Sequence, residues 1–216
     1  MPKFRAVLFD KDGVLIDSLD TCMLALNDAL VHYGKPTFGR EGFIRDVWGV
    51  PAEKNIDIIF SDRSEQERAD IVKFYNNSRA MRVSQTALFS SAQPTLQLLK
   101  AAGVKTAVVT NTIKRAALKL LSDFGILQYF DAVVGGDDAE PKPSPEPLLL
   151  ACKQLGIEPS EALYVGDTPT DAAAGKAAGC TTAIITTSHN AVDLGEIGGI
   201  LIIDDLNELL GIVQVA

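Results

Sequence analysis

The chain has 216 residues, 47% of them apolar, with a net charge of −8, two histidines and three cysteines. That length suits one large domain or a core with a modest insertion. No apolar run approaches the roughly 18–20 residues that cross a bilayer, the first nine residues lack the form of a signal peptide, and lysine and arginine are not clustered as nucleic-acid binding requires. A cytoplasmic protein with neither membrane nor nucleic acid as partner is expected.

The scattered Cys22, Cys152 and Cys180 fit reduced thiols better than a disulfide framework or a zinc site. His32 and His189 are too few to supply histidine-based metal or triad chemistry.

In chain order, residues 4–9 read as a buried strand that ends abruptly at Asp10. Ser18 is a plausible N-cap for a helix whose stripe runs through Leu19, Cys22, Met23, Leu26, Leu30 and Tyr33, with Gly34 to stop it. Residues 36–88 carry helical periodicity (Ile56, Ile59, Phe60; Ile71, Phe74, Tyr75) and no convincing strand, so they are expected to form a small helical insertion.

From residue 92 the texture alternates. Helices are expected near 94–102, through Ala116 to Phe124, at 145–155 and at 169–178, each stopped by a glycine. Strands are expected at 104–109, 132–134, 162–165, 182–185 and 200–203. The fold class expected is α/β: a Rossmann-like three-layer core with a parallel sheet and right-handed crossovers, plus a small all-helical domain inserted after the first strand.

Ligands of open α/β sheets bind outside the carboxyl ends of the strands. Three expected strands end there in polar residues: Asp10 and Asp12, Thr110 and Asn111, and Asp167 followed one helical turn later by Asp171. Lys142 joins them from the loop Glu140-Pro141-Lys142-Pro143-Ser144-Pro145, stiffened by prolines on both sides. Four acids, a lysine and two small hydrogen-bonding side chains suit phosphoryl transfer. Mg²⁺ needs only one or two carboxylates besides water and substrate phosphate, and Asp10 and Asp167 could supply them. A dication would also relieve the repulsion between clustered acids. Asp10 is then a reasonable nucleophile and Asp12 a reasonable general acid and base. Backbone N–H groups from Lys11 to Gly13 could line the phosphate.

Each signal has a plainer reading. Asp-x-Asp-Gly alone is a common turn or calcium-loop fragment, Thr110-Asn111 a helix N-cap, Lys142 a surface lysine, and Asp171 part of a polar helix face. Their joint arrival at one sheet edge favours the site.

With these residues in hand, the sequence resembles the haloacid dehalogenase-like hydrolase superfamily, within it the phosphoglycolate phosphatase-like group with a helical cap. The resemblance rests on Phe9-Asp10-Lys11-Asp12-Gly13, Val108-Val109-Thr110-Asn111, Lys142-Pro143-Ser144-Pro145 and Val165-Gly166-Asp167-Thr168-Pro169-Thr170-Asp171, in family order. It implies Asp10 as nucleophile and metal ligand, and Asp12 as acid/base with its backbone carbonyl on Mg²⁺. It also implies Thr110, Asn111 and Lys142 on the phosphoryl oxygens, Asp167 on Mg²⁺, and Asp171 in a supporting or water-mediated metal role. A catalytic core of 1–15 with 89–216 and a mobile cap of 16–88 are implied as well. In the cap, Arg45, Trp48 and Gly49 resemble the substrate-facing loop.

Lys11 stands where an apolar residue is usual and Val14 where threonine is most frequent. On an extended backbone Lys11 would point away from both aspartates and snorkel to the surface. Ser91-Ala92-Gln93 replaces the Pro-Gly often found at the return hinge.

The expected activity is Mg²⁺-dependent hydrolysis of a small phosphate monoester, phosphoglycolate or sugar-phosphate-like, through a phosphoaspartate. The expected partner is a small phosphorylated metabolite, and the chain a monomer or homodimer. The alternatives are a sugar phosphomutase, disfavoured by Gly166 and Thr110-Asn111, and a non-catalytic phosphate-ligand module.

Overall fold

The computed structural model describes residues 3–186 and 198–214, so His189 lies outside the described residues. The chain forms two compact units, one of residues 1–16 with 88–216 and one of residues 17–87.

The first unit is an α/β fold around a six-stranded parallel sheet. Its strands are β1 (Ala6–Phe9), β4 (Lys105–Val109), β5 (Ala132–Val134), β6 (Ala162–Gly166), β7 (Thr181–Ile185) and β8 (Ile200–Ile203), in the order β5-β4-β1-β6-β7-β8. All four residues of β1 are buried, and their side chains divide by the two-residue period of a strand. Val7 and Phe9 join one apolar cluster, Ala6 and Leu8 another. The first cluster takes side chains of the helices α5 (Ala92–Ala101), α6 (Lys114–Asp123) and α9 (Glu208–Val213). The second takes those of α7 (Glu146–Leu155) and α8 (Pro169–Ala178). A sheet covered on both faces is the three-layer solution for strands that are apolar throughout. Trimming Leu8 to alanine would cost about 2–5 kcal/mol.

Register positions the chemistry. Phe9 pairs with Val108 on one side and Val165 on the other, so the segments following β1, β4 and β6 emerge side by side.

The chain crosses between the units through two short strands, β2 (Ile16–Asp17) and β3 (Ala87–Leu88). Two residues are too few to show a period, so neither strand is expected from the sequence. The second unit holds α1 (Leu19–His32), α2 (Arg40–Asp46), α3 (Ala52–Ile59) and α4 (Glu65–Met81), a helical insertion. The stripe on α1 is buried at Leu19, Cys22, Leu26 and Leu30 and packs with Phe43, Ile56, Phe60, Ile71 and Tyr75. A reciprocal cap starts α4: the Ser64 hydroxyl accepts from the Glu67 N–H, and the Glu67 carboxylate accepts from the Ser64 N–H. Ser18 precedes α1 but makes no side-chain capping bond. No helix among the described residues is long and apolar enough to cross a membrane. Cys22, Cys152 and Cys180 are buried free thiols.

Candidate active site

Asp10 follows β1, its N–H tied to Val165 O at 2.8 Å, and only 8% of the residue is exposed. Beyond it the chain turns sharply: the N–H groups of Leu15 and Ile16 both donate to Lys11 O, and the Gly13 N–H donates to Ile16 O at 2.8 Å. The Gly13 amide is therefore engaged within the loop. Gly13 itself is required by close approach. Its φ is +79°, and a Cβ there would lie 2.0 Å from Asp167 Oδ2.

Lys11 corrects the sequence reading. It is fully buried rather than snorkelling, and its Nζ lies 2.5 Å from Asp12 Oδ2. The same carboxylate oxygen accepts from Thr112 Oγ1 at 3.2 Å. The alternation argument failed because the backbone is folded into a tight loop at this point instead of continuing extended. A buried ammonium needs a counter-ion, and Asp12 provides one.

After β4, Thr110 is buried, and its hydroxyl accepts from the Thr112 N–H at 3.2 Å, leaving its own proton to be donated. The Asn111 amide grips the backbone of Lys142: its Oδ1 accepts from the Lys142 N–H at 2.9 Å, and its Nδ2 donates to Lys142 O at 3.2 Å. That side chain, expected on phosphoryl oxygens, fixes the lysine loop. The Lys142–Pro143 peptide in this loop is cis.

Lys142 Nζ is 3.1 Å from Asp10 Oδ1 and 2.7 Å from Asp171 Oδ1, and it donates to the Tyr164 hydroxyl at 2.9 Å. Burial alone would lower the pKa of this ammonium, but Asp10 and Asp171 outweigh it and hold the group above the ordinary lysine range. Asp171 belongs to the first turn of α8. Its Oδ1 accepts from Lys142 and from the Tyr164 hydroxyl at 2.5 Å. Its Oδ2 accepts from the N–H groups of Asp167 and Thr168 and from Thr168 Oγ1 at 2.6 Å. Burial opposes ionisation of Asp171, yet Lys142 and these donors keep its pKa below the usual carboxylate range. Gly166 makes the turn possible, since a Cβ there would stand 2.2 Å from Asp171 Cβ.

Asp10 behaves in the opposite way. Burial pushes its pKa up to about 6; Lys142 pulls it down, and Asp171 and Asp12 push it up again. One carboxylate oxygen each from Asp10, Asp167 and Asp171 lie within 4.8 Å of one another, all three residues buried. Octahedral Mg²⁺ with bonds of about 2.1 Å sets ligand oxygens roughly 3–4 Å apart. An all-oxygen, crowded, buried acid set therefore fits a hard dication. Asp171 has both oxygens committed to donors.

Tyr164, Thr112 and Thr168 were missed in the sequence. A tyrosine inside β6 reads as apolar core and Thr112 carries no spacing signal, whereas Thr168-Pro169-Thr170-Asp171 has the spacing of a capping box, a signal that could have found Thr168. Arg45, Trp48 and Gly49 belong to the second unit. The exposed Arg45 makes a two-pronged pair with Asp46 (2.8 and 2.7 Å), Trp48 lies with its ring 6.1 Å from that of Phe43, and Gly49 has φ +81°.

Residues 7–185 match the model of the haloacid dehalogenase-like hydrolase family. The chain belongs to that family. Among relatives, it is 34% identical to phosphoglycolate phosphatase 1 of Pseudomonas aeruginosa, over 95% of this chain and 78% of that protein. It is 36% identical to a phosphoglycolate phosphatase of Aquifex aeolicus, over 83% and 84% of the two chains. The crystal structure of a predicted phosphoglycolate phosphatase from Haemophilus somnus 129PT superposes with a TM-score of 0.87 at 27% identity, covering 99% of this chain and 100% of that one. This haloacid dehalogenase-like chain is thus a phosphatase of the phosphoglycolate phosphatase-like group, as the resemblance implied.

Proposed function

We propose that the chain is a magnesium-dependent phosphatase that hydrolyses a small phosphate monoester through a phosphoenzyme formed on Asp10. The observation that carries this reading is the meeting of a buried carboxylate, Asp10, with the Lys142 ammonium at 3.1 Å beside a buried acidic cluster. Mg²⁺ held by Asp10 and Asp167, with the Asp12 backbone carbonyl, would neutralise negative charge where carboxylate and phosphate meet.

The chain's own residues then divide the work. An Asp10 carboxylate oxygen attacks phosphorus, and the bond from phosphorus to the leaving oxygen breaks. Asp12 gives its proton to that oxygen and afterwards takes one from the water that hydrolyses the acyl phosphate. The Lys142 ammonium and the Thr110 hydroxyl hold phosphoryl oxygens, where their donors serve best as charge develops. Asp171 and Asn111 position Lys142, one through its ammonium and the other through its backbone; Asp171 reaches a metal only through water. Residues 16–88 are read as the cap of the family, with Arg45, Trp48 and Gly49 as the residues that address the leaving group, a role supported by their likeness to the family's substrate-facing loop.

Several relatives carry the name phosphoglycolate phosphatase, so phosphoglycolate heads the substrate panel. The test assays an aryl phosphate, phosphoglycolate and a set of sugar phosphates with Mg²⁺, with EDTA, and with Asp10→Asn. Mg²⁺-dependent turnover of at least one ester, abolished by Asp10→Asn, is expected. Absence of turnover on every ester would refute the reading, and intact-mass evidence of phosphate on another residue would reject Asp10 as nucleophile.

A further inference from the structure

Lys11 is the least expected feature of the site. A lysine side chain has been taken fully out of water in a position between the two aspartates of the first motif. Burial of an ammonium is costly unless a charged partner meets it closely, and a cation at a bland core position would be selected against. The partner here is specific: Nζ approaches Asp12 Oδ2 at 2.5 Å. Thr112, two residues beyond the β4 strand end, donates its hydroxyl to the same oxygen at 3.2 Å. Two donors from two separate loops therefore converge on one oxygen of one carboxylate.

Asp12 needs such restraint. An aspartate side chain just past a strand end turns about two torsions, and only some of its rotamers aim an oxygen at the reacting phosphate. The Asp12 backbone is already pinned by the loop: the neighbouring N–H groups of Leu15 and Ile16 close on Lys11 O, and Gly13 N–H closes on Ile16 O. The Lys11 ammonium and the Thr112 hydroxyl add the missing constraint on the side chain.

Resting on the reading of Asp12 as acid and base, we infer that Lys11 and Thr112 form a two-point clamp that holds Asp12 Oδ2 and directs Oδ1 to the proton transfers. Lys11 is in this sense a positioning residue. It acts through Asp12 and bears no part of the bond making at phosphorus. The proposal is particular to this chain, because an apolar residue is usual at this place in the family it resembles. The same point makes a substitution to methionine structurally reasonable.

The experiment compares wild type, Lys11→Met, Thr112→Val, Asp12→Asn and the double variant Lys11→Met/Asp12→Asn, with Mg²⁺ and the best ester from the panel. The clamp predicts that Lys11→Met lowers kcat by about ten- to a hundredfold, the scale of a misplaced proton-transfer group, with KM held within about twofold. Thr112→Val should move kcat in the same direction by a smaller factor. In the Asp12→Asn background, adding Lys11→Met should produce no further loss, since the group it positions is already disabled. Full additivity of the two substitutions, a rise in KM at constant kcat, or wild-type kcat in both Lys11→Met and Thr112→Val would overturn the clamp while leaving the phosphatase reading standing. If Lys11→Met does not fold, as judged by circular dichroism, Thr112→Val alone and with Asp12→Asn decides by the same criterion. A wild type inactive on every ester would remove both the phosphatase reading and the clamp that rests on it.

Discussion

Tyr164→Phe removes a single oxygen from the interior of the site, and its consequences can be worked out. The hydroxyl accepts from Lys142 Nζ at 2.9 Å and donates to Asp171 Oδ1 at 2.5 Å. Burial, and then the charges of Asp171 and Asp10, hold its pKa well above the ordinary phenol range, so it remains a neutral donor throughout the working pH range. Hydrogen bonds to charged groups are each worth about 1.5–3 kcal/mol. Lys142 and Asp171 retain each other at 2.7 Å, so neither charge is orphaned and the two losses do not add in full. A destabilisation of about 2 kcal/mol follows, or roughly 4–8 °C in Tm for a chain of this size. Without the phenol to fix its direction, the ammonium gains freedom to turn from Asp10 toward Asp171, and kcat/KM should fall about tenfold. Urea and thermal unfolding, with steady-state kinetics on the best ester, measure both effects. A variant that melts within 1 °C of wild type and turns over equally well would refute the role given to the hydroxyl.

Gly166→Ala should be destabilised by about 1–3 kcal/mol and lose most activity, because its new Cβ must displace Asp171 from a 2.2 Å approach. A wild-type urea midpoint would contradict that packing. The raised pKa of Asp10 carries a definite sign. Its folded value, about 6, lies above the ordinary 3.8, so its favourable contribution is complete below the unfolded value and is lost as pH rises through 6. In EDTA, the advantage in Tm of Asp10→Asn over wild type should therefore widen between pH 5 and pH 7. Parallel Tm–pH curves from calorimetry would show that Asp10 does not titrate there.

Much of the architecture was legible because period and punctuation agreed. The run ending at Asp10, the apolar triplet Ala132-Val133-Val134 and the stretch from Pro169 to Gly179 fall where the elements lie. The last helix, Glu208–Val213, was not foreseen, since six residues give too little periodicity to stand out. Strand ends identified Asp10, Thr110 and Asp167 as neighbours because parallel register brings equivalent positions together. Second partners were not legible. Asn111 on the Lys142 backbone, Tyr164 between Lys142 and Asp171, and Lys11 against Asp12 depend on side-chain direction within loops, which spacing does not encode.

The sheet order has a consequence for how the site comes into being. β1 lies between β4 and β6, so its pairing partners follow it by about a hundred and about a hundred and fifty residues. Closing loops of that length must precede any reward from pairing, which makes β1 a late and slow addition to the sheet. Until residue 166 has been synthesised, Ala6–Phe9 is an apolar strand with an open edge, the kind of segment that chaperones bind and that aggregates when they do not. The segment nearest the start of the chain is thus among the last to be aligned, and slowed synthesis before β6 should prolong its exposure.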